Sequence, residues 1–395
     1  MKTLKTYLLI LIFSIVVSLY FFESYLTFFE LNNTSANHNN INFKKKIYKK
    51  KTNLEYDTRT KLQVYDDYKK EGVNLTIPFF PHILRSKDNL NFFPFSGPSY
   101  SKSIHCNENG YWTIIDHDRY GFNNPDSEWD AKEIEYILIG DSFTFGACVN
   151  RPHDVSSILR NLSKKSVLNL GYRGNGPLME YATLKEYFPK NKKVKNIIWL
   201  YFEGNDNYEL TLEIKNNLLN KYLLNSNYKQ DLIYKQKNID ELSKLTISEL
   251  KEIDNEFLRE KNIKKNKKKF EIIKFLKIKK TRNYLRKNPK ARPEFYKILD
   301  LSEKFLTNKN SILYFVYLPQ YERYTSQNYS QKNYKQIKKK LKKLNIRFID
   351  VHAEIFEKEK NPLILFPFEL NGHYNKKGYN KIAELIYKST SNSSF

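Results

Sequence analysis

The chain contains only two cysteines, Cys106 and Cys148, among 395 residues, and no metal-type Cys/His spacing surrounds either one. A cysteine-built metal centre is thereby excluded, and at most one disulfide can form, which would require an oxidising compartment. Acidic residues are also scarce, 43 against 68 Lys and Arg, leaving a net charge of +25. Most of the cations are lysines interspersed with Asn, Ile and Tyr rather than arginines, which weakens a nucleic-acid reading; no nucleic-acid partner is expected. The excess concentrates in Lys44–Lys51 (KKKIYKKK) and Lys264–Lys280 (KKNKKKFEIIKFLKIKK). For these segments an anionic membrane surface is as suitable a partner. Hydrophobic residues at 40% and aromatics at 15% suffice for a packed interior and exclude general disorder.

A cleavage site of small residues is also missing after the N-terminal apolar run, YLLILIFSIVVSLYFF, which Lys2 and Lys5 precede. An uncleaved signal anchor over residues 7–29 is expected, since about 22 such residues cross a ~30 Å hydrocarbon core as a helix. Residues 1–6 would then be a cytoplasmic tail. Lys2 and Lys5 favour that orientation, whereas the Lys44–Lys51 cluster opposes it. A single-pass membrane protein with its remaining domain outside the cytoplasm is expected. Residues 30–80, Asn- and Lys-rich with little periodicity, read as a juxtamembrane stem. Residues 81–130 form a lead-in region in which Asn109-Gly110 marks a hairpin turn.

From there an α/β rhythm begins. Apolar, β-branched runs recur at 135–140 (EYILIG), 166–171 (SVLNLG), 196–204 (NIIWLYFEG), 311–319 (SILYFVYLP) and 346–351 (IRFIDV), with helical patterns between most of them. Such runs predict a parallel sheet covered on both faces, with chemistry in the loops at the strands' carboxyl ends. A Lys/Glu/Leu/Ile-rich stretch at about 207–290 breaks the rhythm and reads as an inserted helical subdomain within a domain spanning 131–390.

Four loops carry the chemistry. GDSFTFG (140–146) follows the first strand and would place the Ser142 hydroxyl at a helix start, where free N–H groups can hold an oxyanion. NLGYRGNGP follows the second strand, with Gly171 allowing close backbone approach. EGNDN follows the third and offers the Asn205 amide. ELNGHYNKKGY (369–379) places His373 ahead of a final amphipathic helix.

As a set, these blocks resemble the SGNH hydrolase (GDSL-like lipase/esterase) superfamily, with Ser142, Gly171, Asn205 and His373 at its four named positions. The resemblance covers roughly residues 130–206 and 311–390. It implies a flavodoxin-like three-layer α/β/α fold and an ester-acting enzyme with Ser142 as nucleophile and His373 as base. The Ser142 and Gly171 N–H groups and the Asn205 amide would form the oxyanion hole. No metal or organic cofactor is implied. Many members carry an Asp two or three residues before the histidine; here Leu370 and Asn371 stand there. The imidazole would therefore have Asn371 as acceptor, borrow Glu369 or Asp350, or act in a dyad. Cys106 and Cys148 could pair and tie the hairpin to the first helix.

Asp141 is expected to be a structural cap and Asp206 a loop stabiliser, with structural roles for His105, His117 and His153. The preferred substrate is a small acyl group on an envelope glycan, removed by water or transferred to a sugar hydroxyl. The alternatives are a lipid-directed esterase or thioesterase at the membrane surface and a non-catalytic binding protein of the same fold.

Overall fold

The computed structural model describes residues 2–33, 41–87, 89–261, 275–278, 281–282, 291–326 and 329–391. The basic segment Lys264–Lys280 lies largely outside the described residues. Two compact units are present, residues 1–44 with 248–289, and residues 45–247 with 290–395.

In the smaller unit, helix α1 (Lys2–Asn33) contains one window, Leu4–Leu26, long and apolar enough to cross a membrane, with a mean hydropathy of 2.1. Glu23 within it is buried, and its carboxylate accepts a hydrogen bond from the Thr281 N–H at 2.6 Å.

The stretch read as a stem is not irregular. It forms α2 (Ile41–Thr52) and α3 (Lys61–Lys70), the latter with a reciprocal capping box between Thr60 and Gln63. Single apolar anchors give these polar helices a buried side: Val64 on α3 and Tyr48 on α2, with Tyr48 packing edge-on against Tyr56 and Phe368. Too few such residues recur at helical spacing for periodicity to reveal the helices. Next come β1 (Leu75–Thr76), β2 (Lys102–Ile104) and β3 (Ile114–Asp116), a small sheet in which β2 and β3 form the expected antiparallel hairpin.

The main sheet has five parallel strands: β4 (Glu133–Gly140), β5 (Val167–Asn169), β6 (Lys193–Phe202), β7 (Ile312–Leu318) and β8 (Arg347–Asp350), in the order β5-β4-β6-β7-β8. Between them lie α4 (Ser142–Phe145), α5 (Val155–Ser163) and α6 (Pro177–Tyr187). After β6 come α7 (Asp206–Glu213), α8 (Asn217–Leu224), α9 (Gln236–Lys261) and α10 (Pro293–Thr307). The chain ends with α11 (Glu322–Thr325), α12 (Lys332–Lys343) and α13 (Lys376–Ser391).

Alternation along the strands builds two cores. Ile137, Ile139, Ile197, Trp199 and Phe315 pack with Leu178, Phe295 and Ile337 of α6, α10 and α12 on one face. Leu138, Ile198, Leu200 and Val316 pack with Val155, Leu159, Tyr379 and Ile382 of α5 and α13 on the other. With both sides apolar the sheet must be covered twice, giving the three-layer α/β/α fold expected. Truncating such a residue to Ala is worth about 2–5 kcal/mol.

The helical insertion between β6 and β7 is divided. Leu210, Leu219, Tyr222 and Ile239 pack into the first core, so its early part belongs to the larger unit, while residues 248–289 fall in the other.

Candidate active site

β4 ends at Gly140, whose φ of +150° and lack of a side chain permit the turn: a Cβ there would lie 2.0 Å from Thr144 Oγ1 and 2.6 Å from the Leu200 carbonyl. Asp141 caps α4, accepting from the Phe143 N–H at 2.9 Å, the structural role its position suggested. Ser142 is the first residue of α4, so its own N–H has no intrahelical acceptor. Its hydroxyl lies 2.9 Å from His373 Nε2 and only at the 3.4 Å limit from Asp141 Oδ2.

His373 reaches this position from the loop before α13. Its ring sits 4.9 Å from Phe143, which stacks on Phe202 at 4.0 Å. The next residue, Tyr374, is fully buried and its hydroxyl donates to the Pro319 carbonyl at 2.5 Å. The imidazole is therefore clamped by packing on one side.

On its other side stands a residue that sequence reasoning did not select. Glu108 Oε1 accepts from His373 Nδ1 at 3.0 Å, and Oε2 accepts from the His373 backbone N–H at 2.6 Å. The three acceptors considered from sequence lie elsewhere. Asn371 donates to Glu322, Glu369 accepts from Asn361, and Asp350 accepts from Tyr334 and Lys338. Burial on its own would raise the Glu108 carboxyl pKa. The His373 charge and hydrogen bonds, helped by Arg173, outweigh it and hold the group below the ordinary carboxylate range.

Glu108 is delivered by the β2–β3 hairpin. Cys106 and Cys148 form a disulfide joining this hairpin to the segment after α4. The hairpin loop is held further by Asn109 Nδ2 donating to the Cys148 carbonyl at 2.8 Å and Asn107 Nδ2 donating to the Asp57 carbonyl at 2.7 Å. Cys148 Sγ lies 3.6 Å from His373 Nδ1. One signal for Glu108 was present in the sequence: a pairing of Cys106 with Cys148 places position 108 beside the serine block.

The remaining predicted positions are only partly brought together. Gly171 does make a close approach, but to α4: a Cβ would lie 2.4 Å from Thr144 Cβ. Its N–H is already committed to Asn169 Oδ1 at 2.9 Å and is not available to a substrate oxygen. In the same loop the Arg173 and Gly174 N–H groups have no acceptor among the described residues. Asn205 does reach the site: its side chain favours the charged form of Asp141, and its Oδ1 has no partner among the described residues. Asp206 accepts from the Phe202 N–H at 2.8 Å. His105 and His117 both bond to the Ser103 hydroxyl, as structural residues do, and His153 is not part of the Ser142–His373–Glu108 cluster.

Glu108, Cys148 and His373 also cluster closely enough for a metal ion, but the cysteine sulfur is in a disulfide and cannot supply a thiolate.

No known family pattern matches this chain, and no curated protein does. Solved structures similar to this chain include a member of the lipolytic protein G-D-S-L family from Veillonella parvula, 14% identical over 65% of this chain and 98% of that one, with a TM-score of 0.36. A lipase/acylhydrolase from Enterococcus faecalis is 12% identical over 66% of this chain and 96% of its own, TM-score 0.35. A psychrotrophic esterase, EstA, from Pseudoalteromonas sp. is 10% identical over 66% and 98%, TM-score 0.34.

Proposed function

We propose that the protein is a serine esterase of the SGNH hydrolase type, anchored in a membrane by α1, that removes a small acyl group from an envelope glycan. One observation carries the chemistry: a continuous path from the Ser142 hydroxyl through His373 to Glu108, with contacts of 2.9 and 3.0 Å. This is the geometry in which a base within hydrogen-bond reach activates a hydroxyl while an acid orients the base.

The Ser142 oxygen attacks the ester carbonyl as His373 Nε2 takes its proton. Glu108, ionised and bonded to Nδ1–H, fixes the ring's tautomer and stabilises the imidazolium that forms. Negative charge develops on the former carbonyl oxygen. The Ser142 N–H, the Asn205 amide and the two uncommitted amides of the 171–176 loop are its candidate donors, each worth ~3 kcal/mol of transition-state stabilisation. His373 then returns the proton to the departing alkoxide, and water repeats the sequence to free the acid and Ser142.

What favours an envelope polymer over a soluble metabolite is the anchor-length helix, while the net charge of +25 favours an anionic partner. The chemistry is tested by p-nitrophenyl acetate hydrolysis. Wild type should turn over, and Ser142→Ala should fall to the uncatalysed background; equal rates for the two proteins would refute the reading.

A further inference from the structure

Arg173 lies in the loop between β5 and α6, the loop that also holds the uncommitted amides. Its guanidinium sits 5.4 Å above the Phe80 ring, and its one side-chain hydrogen bond among the described residues runs from Nη1 to Cys106 Sγ at 3.1 Å. Sulfur is a weak acceptor. From that sulfur the disulfide leads to Cys148, whose Sγ contacts the His373 ring at 3.6 Å. Two short contacts and one disulfide thus separate this guanidinium from the imidazole.

Its lack of a carboxylate partner sets it apart. Every other described arginine that is wholly or partly buried, namely Arg85, Arg119, Arg151, Arg160, Arg292 and Arg323, has a carboxylate oxygen within 4 Å. Arg173 has none among the described residues. Glu108 and Asp141 are near enough to act on it through their charges. Both Glu108 oxygens, however, are occupied by His373, and Asp141 accepts from the Phe143 N–H and, at 3.4 Å, from the Ser142 hydroxyl. A partly desolvated guanidinium with unused N–H donors beside the Glu108–His373 pair is prepared for an acceptor that arrives from outside.

We propose that Arg173 is a specificity-determining residue of this site, binding an anionic oxygen pair on the substrate, a carboxylate or a phosphate close to the scissile ester. The planar fork of the guanidinium matches either group, and a carboxylate on the sugar is the form that suits an acidic glycan. This rests on the esterase reading and narrows its substrate class. The excess of cations over the whole chain would draw any anion nearer, whereas Arg173 would select those whose charge sits at a fixed distance from the ester.

The test uses full-length protein in detergent and three acetylated monosaccharides matched in acetyl position: a neutral hexoside, a hexuronate and a hexose phosphate. Wild type should prefer an anionic probe over the neutral one by about 10-fold or more in kcat/KM, chiefly through KM, as one charge-assisted hydrogen-bonded pair provides. Arg173→Gln should abolish that ratio, and Arg173→Lys should retain part of it. Preference for the hexuronate identifies a carboxylate, and preference for the phosphate a phosphorylated or lipid-linked substrate. As a second readout, free glucuronate or glucose phosphate should slow fluorophosphonate labelling of Ser142 in wild type and not in Arg173→Gln. Equal kcat/KM for neutral and anionic probes with no protection, or an equal loss on all probes in Arg173→Gln, would overturn the proposal while leaving the esterase intact. Absence of both turnover and Ser142 labelling would sink the esterase reading and this inference with it.

Discussion

Glu108 holds His373 at two points, the ring Nδ1 at 3.0 Å and the backbone N–H at 2.6 Å, across 265 residues of chain. The carboxylate that holds the imidazole therefore comes from the lead-in hairpin and not from the loop that carries the histidine. Replacing Glu108 by Gln keeps the size but removes the charge that stabilises the imidazolium. A loss of about 10²–10⁴-fold in kcat with little change in KM is expected, by analogy with removal of the acid in a serine triad. Steady-state kinetics on p-nitrophenyl acetate would measure it. Because the carboxyl is held below its ordinary range, its contribution to folding stability is fully present above the unfolded-state pKa and is lost as pH falls through the depressed value.

Gly372 is the neighbour that makes this contact possible. A Cβ there would lie 2.7 Å from Glu108 Oε2, so Gly372→Ala must push the carboxylate away from His373. The variant should fold with an unchanged circular dichroism spectrum and lose kcat by about 10-fold or more, in the direction of Glu108→Gln. Full activity in Gly372→Ala would show that the double contact is dispensable.

The disulfide between Cys106 and Cys148 spans a sequence separation of 42 and carries Glu108 two residues beyond it. Its removal should destabilise the fold by about 4 kcal/mol through chain entropy. It should also lower kcat at temperatures where the protein stays folded, because Glu108 loses its tether. Kinetics on Cys106→Ser/Cys148→Ser, compared with wild type before and after reduction, separate the two effects. A double variant with lower thermal stability but unchanged kcat would leave the bond a purely structural role.

Stability should also depend on pH through buried carboxyls. Burial raises Glu213 to about 7, even though Arg85 and the Gly176 and Leu178 N–H groups favour its charged form. The native state therefore binds a proton that the unfolded chain has released. The resulting stability is fully present below the unfolded value near 4.5 and is lost as pH rises toward 7. The slope from this group is at most ~1.4 kcal/mol per pH unit. Urea denaturation across that window should show stability falling with pH, and Glu213→Gln should flatten the trend.

The sheet was legible because its central strands contain continuous apolar runs such as YILI in β4, IIWLYF in β6 and ILYFVYL in β7, and burial on both faces demands that composition. Ser142 and His373, the proposed nucleophile and base, were legible because one stands just after a strand and the other just before a final amphipathic helix. Glu108 was not, because no local pattern links an acid in a hairpin to a histidine near the other terminus; only the cysteine pairing hinted at it. Gly171 misled for a related reason. A glycine signals close approach but not to what, and here it passes α4 with its N–H already committed to Asn169. The helices of the presumed stem were hidden because one anchor each, Tyr48 and Val64, is too few to show a period.

Labelling with a fluorophosphonate, read by mass spectrometry of the modified peptide, is the most direct measurement of the central claim. One adduct is expected, on Ser142, forming at least about 100-fold more slowly in His373→Ala. An unlabelled Ser142 in folded wild type, or equal labelling rates with and without the imidazole, would contradict it.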